Sequence, residues 1–145
     1  MAAGDALETR FNGLREAQPT LPASWYFDPV QYDREMRAIH HRNWIYLCRS
    51  AEFAEPRSFR SFTLAGQDIL LVRGEDRVLN GFFNTCRHRG STLCTEAAGR
   101  LQKPLIVCPY HQWAYGLDGR LRATGPMRRV GGFERAEYGL HRVAV

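Results

Sequence analysis

The sequence has almost no lysine and no long hydrophobic run, and these two absences exclude several classes of protein. Of its 20 basic residues only Lys103 is a lysine, and the arginines are scattered from Arg10 to Arg142. A single-strand nucleic-acid binder interleaves basic with aromatic residues. No such stripe is found here, so we expect no nucleic-acid partner. The net charge of +5 suits docking of an acidic protein instead.

Membrane and export signals are missing as well. No run approaches the ~18 apolar residues of a membrane-spanning helix. The start, MAAGDALETR, carries acidic residues and lacks the apolar segment of a signal peptide. We therefore expect a cytoplasmic protein with no membrane partner. Its 4 cysteines are then expected to be ligands or free thiols rather than a disulfide framework.

The chain divides into an N-terminal arm with one helix, residues 1–43, and a domain of short strands, residues 44–145. The arm is expected to be mostly irregular, with a short helix near Ala6–Glu16. A clear helix start follows in DPVQYDREMRAIHHR. There Asp28 can cap the helix, Pro29 suits its first position, and Gln31 would complete a capping box.

From Trp44 onward, short apolar or alternating segments separated by turn signals predict strands. The predicted strands are WIYLC, SFRSFTLA, QDILLVR, RVLNGFFN, KPLIVC, WAYGL and GRLRAT. Asn80-Gly81 could form a turn, but it would leave strands of about three residues, so we keep one strand with an internal glycine. The expected fold class is mainly β, a small antiparallel sandwich or barrel.

Two short motifs contain the same pair of residue types. Cys86 and His88 form C-x-H after one predicted strand, and Cys108 and His111 form C-x-x-H after another, with the nineteen residues 89–107 between them. Each motif supplies one thiolate and one imidazole, which fits two metal ions that need different ligands. A Rieske [2Fe–2S] centre is such a site, because two cysteines hold one iron and two histidines hold the other.

Other interpretations of the four residues remain open. A structural Cys₂His₂ zinc site is chemically possible, although zinc fingers place both cysteines before both histidines. A Cys–His nucleophilic dyad would leave the second pair unexplained. Cys48 is expected to be a small buried hydrophobic residue, and Cys94 to pack beneath the first ligand loop. Neither is assigned to a metal.

The segments around these two motifs resemble a known family. NTCRHRGSTLC followed by CPYHQWAYGLDGRL is similar to the Rieske domain of the large (α) subunit of ring-hydroxylating, Rieske non-haem iron oxygenases, and LPASWYFDPVQYDREMRAIHHRNWIYLCRS is like the segment that precedes it. The resemblance implies Cys86 and Cys108 on one iron, and His88 and His111 on the other. It further implies packing and backbone hydrogen bonds around the cluster from Arg87, Arg89, Gly90, Tyr110 and Trp113.

The resemblance also implies partners. Electrons would come from a reductase or a ferredoxin and leave through His111 to a mononuclear Fe(II) in a neighbouring α subunit, as in a trimer. That iron belongs to a C-terminal catalytic domain which is absent from this chain, so no catalytic residue is assigned here. The chain is thus expected to be part of an oxidoreductase that uses O₂ and to be inactive alone. A stand-alone ferredoxin-like electron carrier and a zinc-stabilised binding module are the alternatives.

Four residues distinguish this chain from related classes. High-potential Rieske proteins carry an extra cysteine in each loop, where this chain has Ser91 and Tyr110, and a serine at the position of Trp113. Fewer donors to the cluster favour a potential near the bottom of the roughly −150 to +300 mV range. Gln112, usually glycine in enzymes acting on aromatic rings, makes CPYHQW more like the branch that demethylates quaternary amines.

Overall fold

The computed structural model describes residues 19–125 and 131–145, so the helix expected near Ala6–Glu16 lies outside the described residues. The chain forms two compact units, Met1–Asn43 and Trp44–Val145. No helix in the described part is long and apolar enough to cross a membrane.

The described part of the first unit is helical, and its helix begins where the sequence predicts. Its elements are a 3₁₀ turn, helix α1 and a π-helical turn, at Ala23–Tyr26, Pro29–Glu35 and Met36–His40. The Asp28 carboxylate accepts a hydrogen bond from the Val30 N–H at 2.9 Å, which confirms the predicted cap. The predicted capping box is wrong, because the Gln31 amide instead donates to the Glu35 carboxylate at 2.9 Å.

The second unit contains two antiparallel sheets. The strands are β1 to β8, at Ser58–Leu64, Gln67–Arg73, Leu79–Phe83, Ala98–Arg100, Leu105–Val107, Ala114–Gly116, Leu121–Ala123 and Arg142–Val143. The larger sheet has the order β4-β1-β2-β3-β8, and the smaller sheet has the order β5-β6-β7. The mainly β, antiparallel fold is confirmed.

Strand β2 shows how the larger sheet is buried on both faces. Successive side chains of a strand point to opposite faces. Leu70 and Val72 belong to one buried cluster, and Ile69 and Leu71 belong to another. The first cluster also takes in the smaller sheet and both ligand cysteines. The ligand loops are therefore anchored in the main core.

The predicted strand WIYLC is wrong. Trp44 and Tyr46 are 80% and 77% exposed, and residues 44–48 form no ladder with another strand. The alternation of exposed and less exposed side chains is that of an extended segment, but alternation alone does not supply a hydrogen-bonded neighbour. Cys48 is half-buried rather than buried, and it packs against the cluster of Phe53, Ile69 and Leu71.

Gly81 lies inside β3, as predicted, and the structure gives the reason for a glycine there. β8 pairs with β3 so that Gly81 lies opposite Val143. A Cβ atom at Gly81 would lie 2.8 Å from the Val143 carbonyl oxygen. The glycine thus permits a close approach of the two backbones.

Candidate metal centre

The four predicted ligands lie in two loops that leave the ends of strands. We call residues 84–94 the first ligand loop, which follows β3, and residues 108–113 the second ligand loop, which joins β5 to β6. The first therefore continues from the larger sheet, and the second lies within the smaller sheet.

The two loops have the same backbone hydrogen bonds around their cysteines. In the first loop, the Cys86 carbonyl accepts from the Gly90 N–H at 3.0 Å, and the Cys86 N–H donates to the Ser91 carbonyl at 2.8 Å. In the second, the Cys108 carbonyl accepts from the Gln112 N–H at 3.1 Å, and the Cys108 N–H donates to the Trp113 carbonyl at 2.8 Å. Each loop thus folds tightly around its cysteine.

The residue four positions after each cysteine has a left-handed backbone. Gly90 has φ 73° and Gln112 has φ 60°. Glycine adopts this conformation without steric cost, whereas a residue with a Cβ atom is strained by about 1–2 kcal/mol. The second loop therefore stores strain directly beside His111.

The two ligand thiols interact with each other, and both are buried. Cys86 and Cys108 are 3% and 2% exposed. Burial raises the pKa of Cys86, although the Tyr115 hydroxyl and the His88 N–H oppose this effect. Burial also opposes ionisation of Cys108, but there the N–H groups of Tyr110 and His111 outweigh it and lower the pKa. The second loop is thus preorganised to hold a thiolate.

The rings of His88 and His111 lie close together, and each has a buried Nδ1 atom without a hydrogen-bond partner in the described residues. Their centroids are 4.8 Å apart with the rings edge to face. In the described residues neither Nδ1 atom, of His88 or of His111, has a hydrogen-bond partner, although both atoms are buried. Burial, the nearby His111 and the charge of Arg89 lower the pKa of His88, which favours the neutral imidazole that binds metals.

These observations fit a two-iron cluster. A buried nitrogen atom without a partner lowers the stability of the fold. A bond to iron would give a partner to each of the two Nδ1 atoms. Among residues 19–125 and 131–145 no group of three or more His, Cys, Asp or Glu side chains is arranged to hold one metal ion. A Rieske cluster needs only two protein ligands on each iron, and the chain presents one pair of thiols and one pair of imidazoles.

The residues expected around the cluster have different surroundings. Trp113 is 2% exposed and stacks on the His88 ring at 4.8 Å. Tyr110 is 60% exposed and packs on the His111 ring at 3.7 Å. Both aromatic rings therefore hold an imidazole in place. Gly90 supplies the turn described above, and Arg89 is exposed.

The Arg87 side chain contacts the C-terminal segment. Its guanidinium contacts His141, with Nδ1 at 3.1 Å, and donates to the Glu137 carbonyl at 3.4 Å. Its backbone N–H donates to the Tyr115 hydroxyl at 3.1 Å. The side chain thus connects the first ligand loop to the C-terminal segment.

Sequence reasoning missed Tyr115 and Asn84. The Tyr115 hydroxyl lies 3.2 Å from the Cys86 sulfur, inside the core. Asn84 precedes the first motif and is 2% exposed. In the sequence Tyr115 is one aromatic residue of an apolar strand and Asn84 is a polar residue at a strand end. No local pattern identifies the partner of either side chain.

Comparison with known proteins gives consistent matches. The family model described as Rieske [2Fe-2S] domain matches residues 43–134. The chain is 39% identical over 132 residues to the glycine betaine monooxygenase oxygenase subunit of Chromohalobacter salexigens, covering 90% of this chain and 29% of that protein. It is 36% identical over 115 residues to the carnitine monooxygenase oxygenase subunit of Escherichia coli K12, covering 79% of this chain and 30% of that protein.

Solved structures agree with the sequence matches. A crystal structure of the quaternary ammonium Rieske monooxygenase CntA, in complex with an inhibitor, superimposes with a TM-score of 0.82 at 32% identity. That match covers 87% of this chain and 35% of CntA. The chain therefore spans about a third or less of the proteins that it resembles.

Proposed function

Because the chain belongs to the Rieske [2Fe–2S] domain family, we propose that it is the electron-transfer domain of a Rieske oxygenase. In this role it receives electrons from a reductase or a ferredoxin and delivers them to a mononuclear iron that activates O₂. The catalytic iron would lie in a domain that these 145 residues do not include.

One observation carries this proposal. Two loops with the same hydrogen-bonding pattern bring together a pair of thiols and a pair of imidazoles, and both imidazole Nδ1 atoms are buried without a partner in the described residues. A single catalytic dyad would explain one cysteine and one histidine and would leave the other pair without a purpose.

The proposed ligand assignment follows from the pairing of residue types. Cys86 and Cys108 would hold one iron, and His88 and His111 would hold the other. Bound in this way, a [2Fe–2S] cluster supplies reversible one-electron transfer at a higher potential than an all-cysteine cluster. Trp113 and Tyr110 fix the two imidazole rings, and the N–H groups of the second loop stabilise the Cys108 thiolate.

His111 is the proposed exit for the electron. Tyr110, packed on its ring, is largely exposed, so this edge of the domain is open to a neighbouring protein. An acidic side chain of an adjacent α subunit, in a trimer, would connect His111 to the mononuclear iron. The net charge of +5 suits an acidic electron donor. A cytoplasmic location is part of the same proposal.

The proposed substrate class is a quaternary amine that loses a methyl group, rather than an aromatic ring. Gln112 in CPYHQW supports this branch, as does the similarity to the oxygenase subunits of glycine betaine monooxygenase and carnitine monooxygenase. The substrate pocket itself would belong to the catalytic domain.

Spectroscopy and metal analysis of anaerobically purified protein test the central proposal. We expect two irons and two inorganic sulfides per chain and the EPR spectrum of a reduced Rieske cluster. His88→Ala and His111→Ala should each lose that spectrum. His41→Ala, an exposed histidine of the other unit, is the matched control and should keep it.

A colourless protein with stoichiometric zinc would contradict the proposal and favour a zinc-stabilised module. If the protein is a stand-alone electron carrier, we expect the same cluster but no catalytic domain that accepts the electron. The oxygenase is supported if the reading frame that encodes these residues also encodes a domain with two histidines and a carboxylate around iron. Consumption of O₂ with glycine betaine or carnitine would then identify the substrate class.

A further inference from the structure

The first ligand loop is held closed at its base by a side chain rather than by backbone pairing alone. The Asn84 amide donates to the Cys94 carbonyl at 2.7 Å, and its oxygen accepts from the Cys94 N–H at 2.9 Å. Both hydrogen bonds are buried. The asparagine thus pairs with the Cys94 backbone as a neighbouring strand would, and both ends of the loop are fixed at one point.

Asn84 is itself fixed on the scaffold. Its backbone N–H donates to the Asp68 carbonyl at 2.8 Å, and its carbonyl accepts from the Leu93 N–H at 3.3 Å. Inside this closure, a single bridge between Thr85 and Thr92 supports the turn that carries Cys86 and His88. The backbone hydrogen bonds inside the loop reach from Asn84 to Leu93, and the side-chain pair extends the closure to Cys94.

The second ligand loop has no need of such a side chain. It is short, and β5 and β6 pair directly on either side of it, with Val107 opposite Ala114. The first loop is longer, and its far end at Cys94 leads into residues outside the sheets. Closing a longer loop costs more chain entropy, and the Asn84 amide offsets that cost with two hydrogen bonds.

We propose that Asn84 is a positioning residue for the [2Fe–2S] cluster, because its buried amide closes the first ligand loop and sets the placement of Cys86 and His88. This inference rests on the proposed function, since it concerns the same cluster. Asn84 does not touch the ligand side chains through any described hydrogen bond, and it acts through the backbone at Cys94.

The test uses the 145-residue chain with its cluster assembled anaerobically, and compares two buried asparagines that are four positions apart, Asn84 and Asn80. Asn80 is the matched control, because it is 5% exposed, lies on β3 and accepts a hydrogen bond from Arg142 at 2.8 Å. Asn84→Ala and Asn80→Ala are examined by EPR, by the rate of iron release to a ferrous chelator and by thermal unfolding.

We expect Asn84→Ala to shift the EPR g values and to release iron about tenfold faster or more, since two buried backbone groups lose their partner. Asn80→Ala should lower the Tm while leaving the g values and the release rate unchanged. If Asn84→Ala fails to fold, Asn84→Asp, which keeps the acceptor oxygen and loses the donor, should show the same changes to a smaller extent.

Two results would overturn the inference alone. One is an Asn84 variant with the g values and release rate of the wild-type protein. The other is faster release in both variants in proportion to their loss of Tm, which would make Asn84 a general stability residue. A wild-type chain that takes up no cluster under these conditions would contradict the proposed function as well, so the two failures are distinguishable.

Discussion

At the residue scale, the Tyr115 hydroxyl has two partners. Its oxygen accepts the Arg87 N–H at 3.1 Å, and the Cys86 sulfur lies 3.2 Å away. An iron-bound Cys86 sulfur would carry no proton, so the Tyr115 O–H would donate to it, and burial together with Cys86 raises the pKa of Tyr115, which keeps it a donor. Trp113 replaces a serine donor of high-potential Rieske proteins, but the Tyr115 phenol supplies a donor that the motif does not contain. The low potential stays a prediction.

Replacing Tyr115 with phenylalanine should lower the midpoint potential. A hydrogen bond to a cysteine ligand stabilises the reduced, more negative cluster, and a net value of about 1 kcal/mol corresponds to about 40 mV for one electron. Redox titration followed by EPR measures the change. Tyr138→Phe is the control, because Tyr138 contacts Trp113 with its ring, and its potential should equal that of the wild type. An unchanged potential in Tyr115→Phe would contradict the assigned hydrogen bond.

Cys94 should make the free energy of unfolding fall at high pH. Burial raises its pKa from 9.0 to about 11. Between these values the unfolded chain loses a proton that the folded chain keeps. The contribution of the Cys94 thiol to the free energy of unfolding is therefore complete below pH 9 and is lost as the pH rises to about 11. Its maximum is about 2–3 kcal/mol.

Urea unfolding at several pH values tests this contribution. Cys94→Ala should remove that part of the alkaline loss, so that its curve falls less steeply between pH 9 and 11. Cys48→Ala retains Cys94 and should show the wild-type slope. Parallel curves for Cys94→Ala and the wild type would show that the thiol does not titrate as a buried group.

At the scale of elements, strands with an apolar pattern were predictable and strands made by pairing were not. β1, β2 and β3 coincide with SFRSFTLA, QDILLVR and RVLNGFFN, and β5 to β7 fall within the three remaining correct segments. β4 is the exposed tripeptide Ala98–Arg100, and β8 has two residues. Neither has an apolar pattern, since each exists through a neighbour, β1 or β3. The site divides similarly, because motif spacing indicates the four ligands but not the distant partners of Asn84 and Tyr115.

The pairing of β8 with β3 depends on Gly81. A methyl group there would lie within 2.8 Å of the Val143 carbonyl oxygen and 2.9 Å of a Val145 side-chain carbon. We expect Gly81→Ala to lower the free energy of unfolding by about 1–3 kcal/mol, as other overpacked sites do. Gly131→Ala, where nothing lies within 4 Å, is the matched control and should have no such cost. Equal urea midpoints for the two variants would contradict the close packing of β8.

At the scale of the whole second unit, the two ligand loops come from different sheets. The first loop continues from β3 of the five-stranded sheet, and the second joins β5 to β6 of the three-stranded sheet. The core cluster already connects the sheets through apolar side chains. A metal centre bound by both loops would add a second connection, with bonds instead of dispersion contacts. Folding and cluster binding should therefore be coupled.

Removal of iron should therefore lower the stability of the whole second unit, and not only the order of the two ligand loops. A ligand that binds only the folded state, at a free concentration about a thousand times its dissociation constant, stabilises that state by about 4 kcal/mol. For a chain of this size, losing that stabilisation lowers the Tm by roughly 10–15 °C. Scanning calorimetry of the protein before and after anaerobic chelation measures it. Cys108→Ala has no ligand atom at this position and cannot complete the ligand set, so its Tm should not respond to iron and sulfide. Recovery of the full Tm with zinc alone, without iron or sulfide, would show that the connection between the sheets is not a [2Fe–2S] cluster.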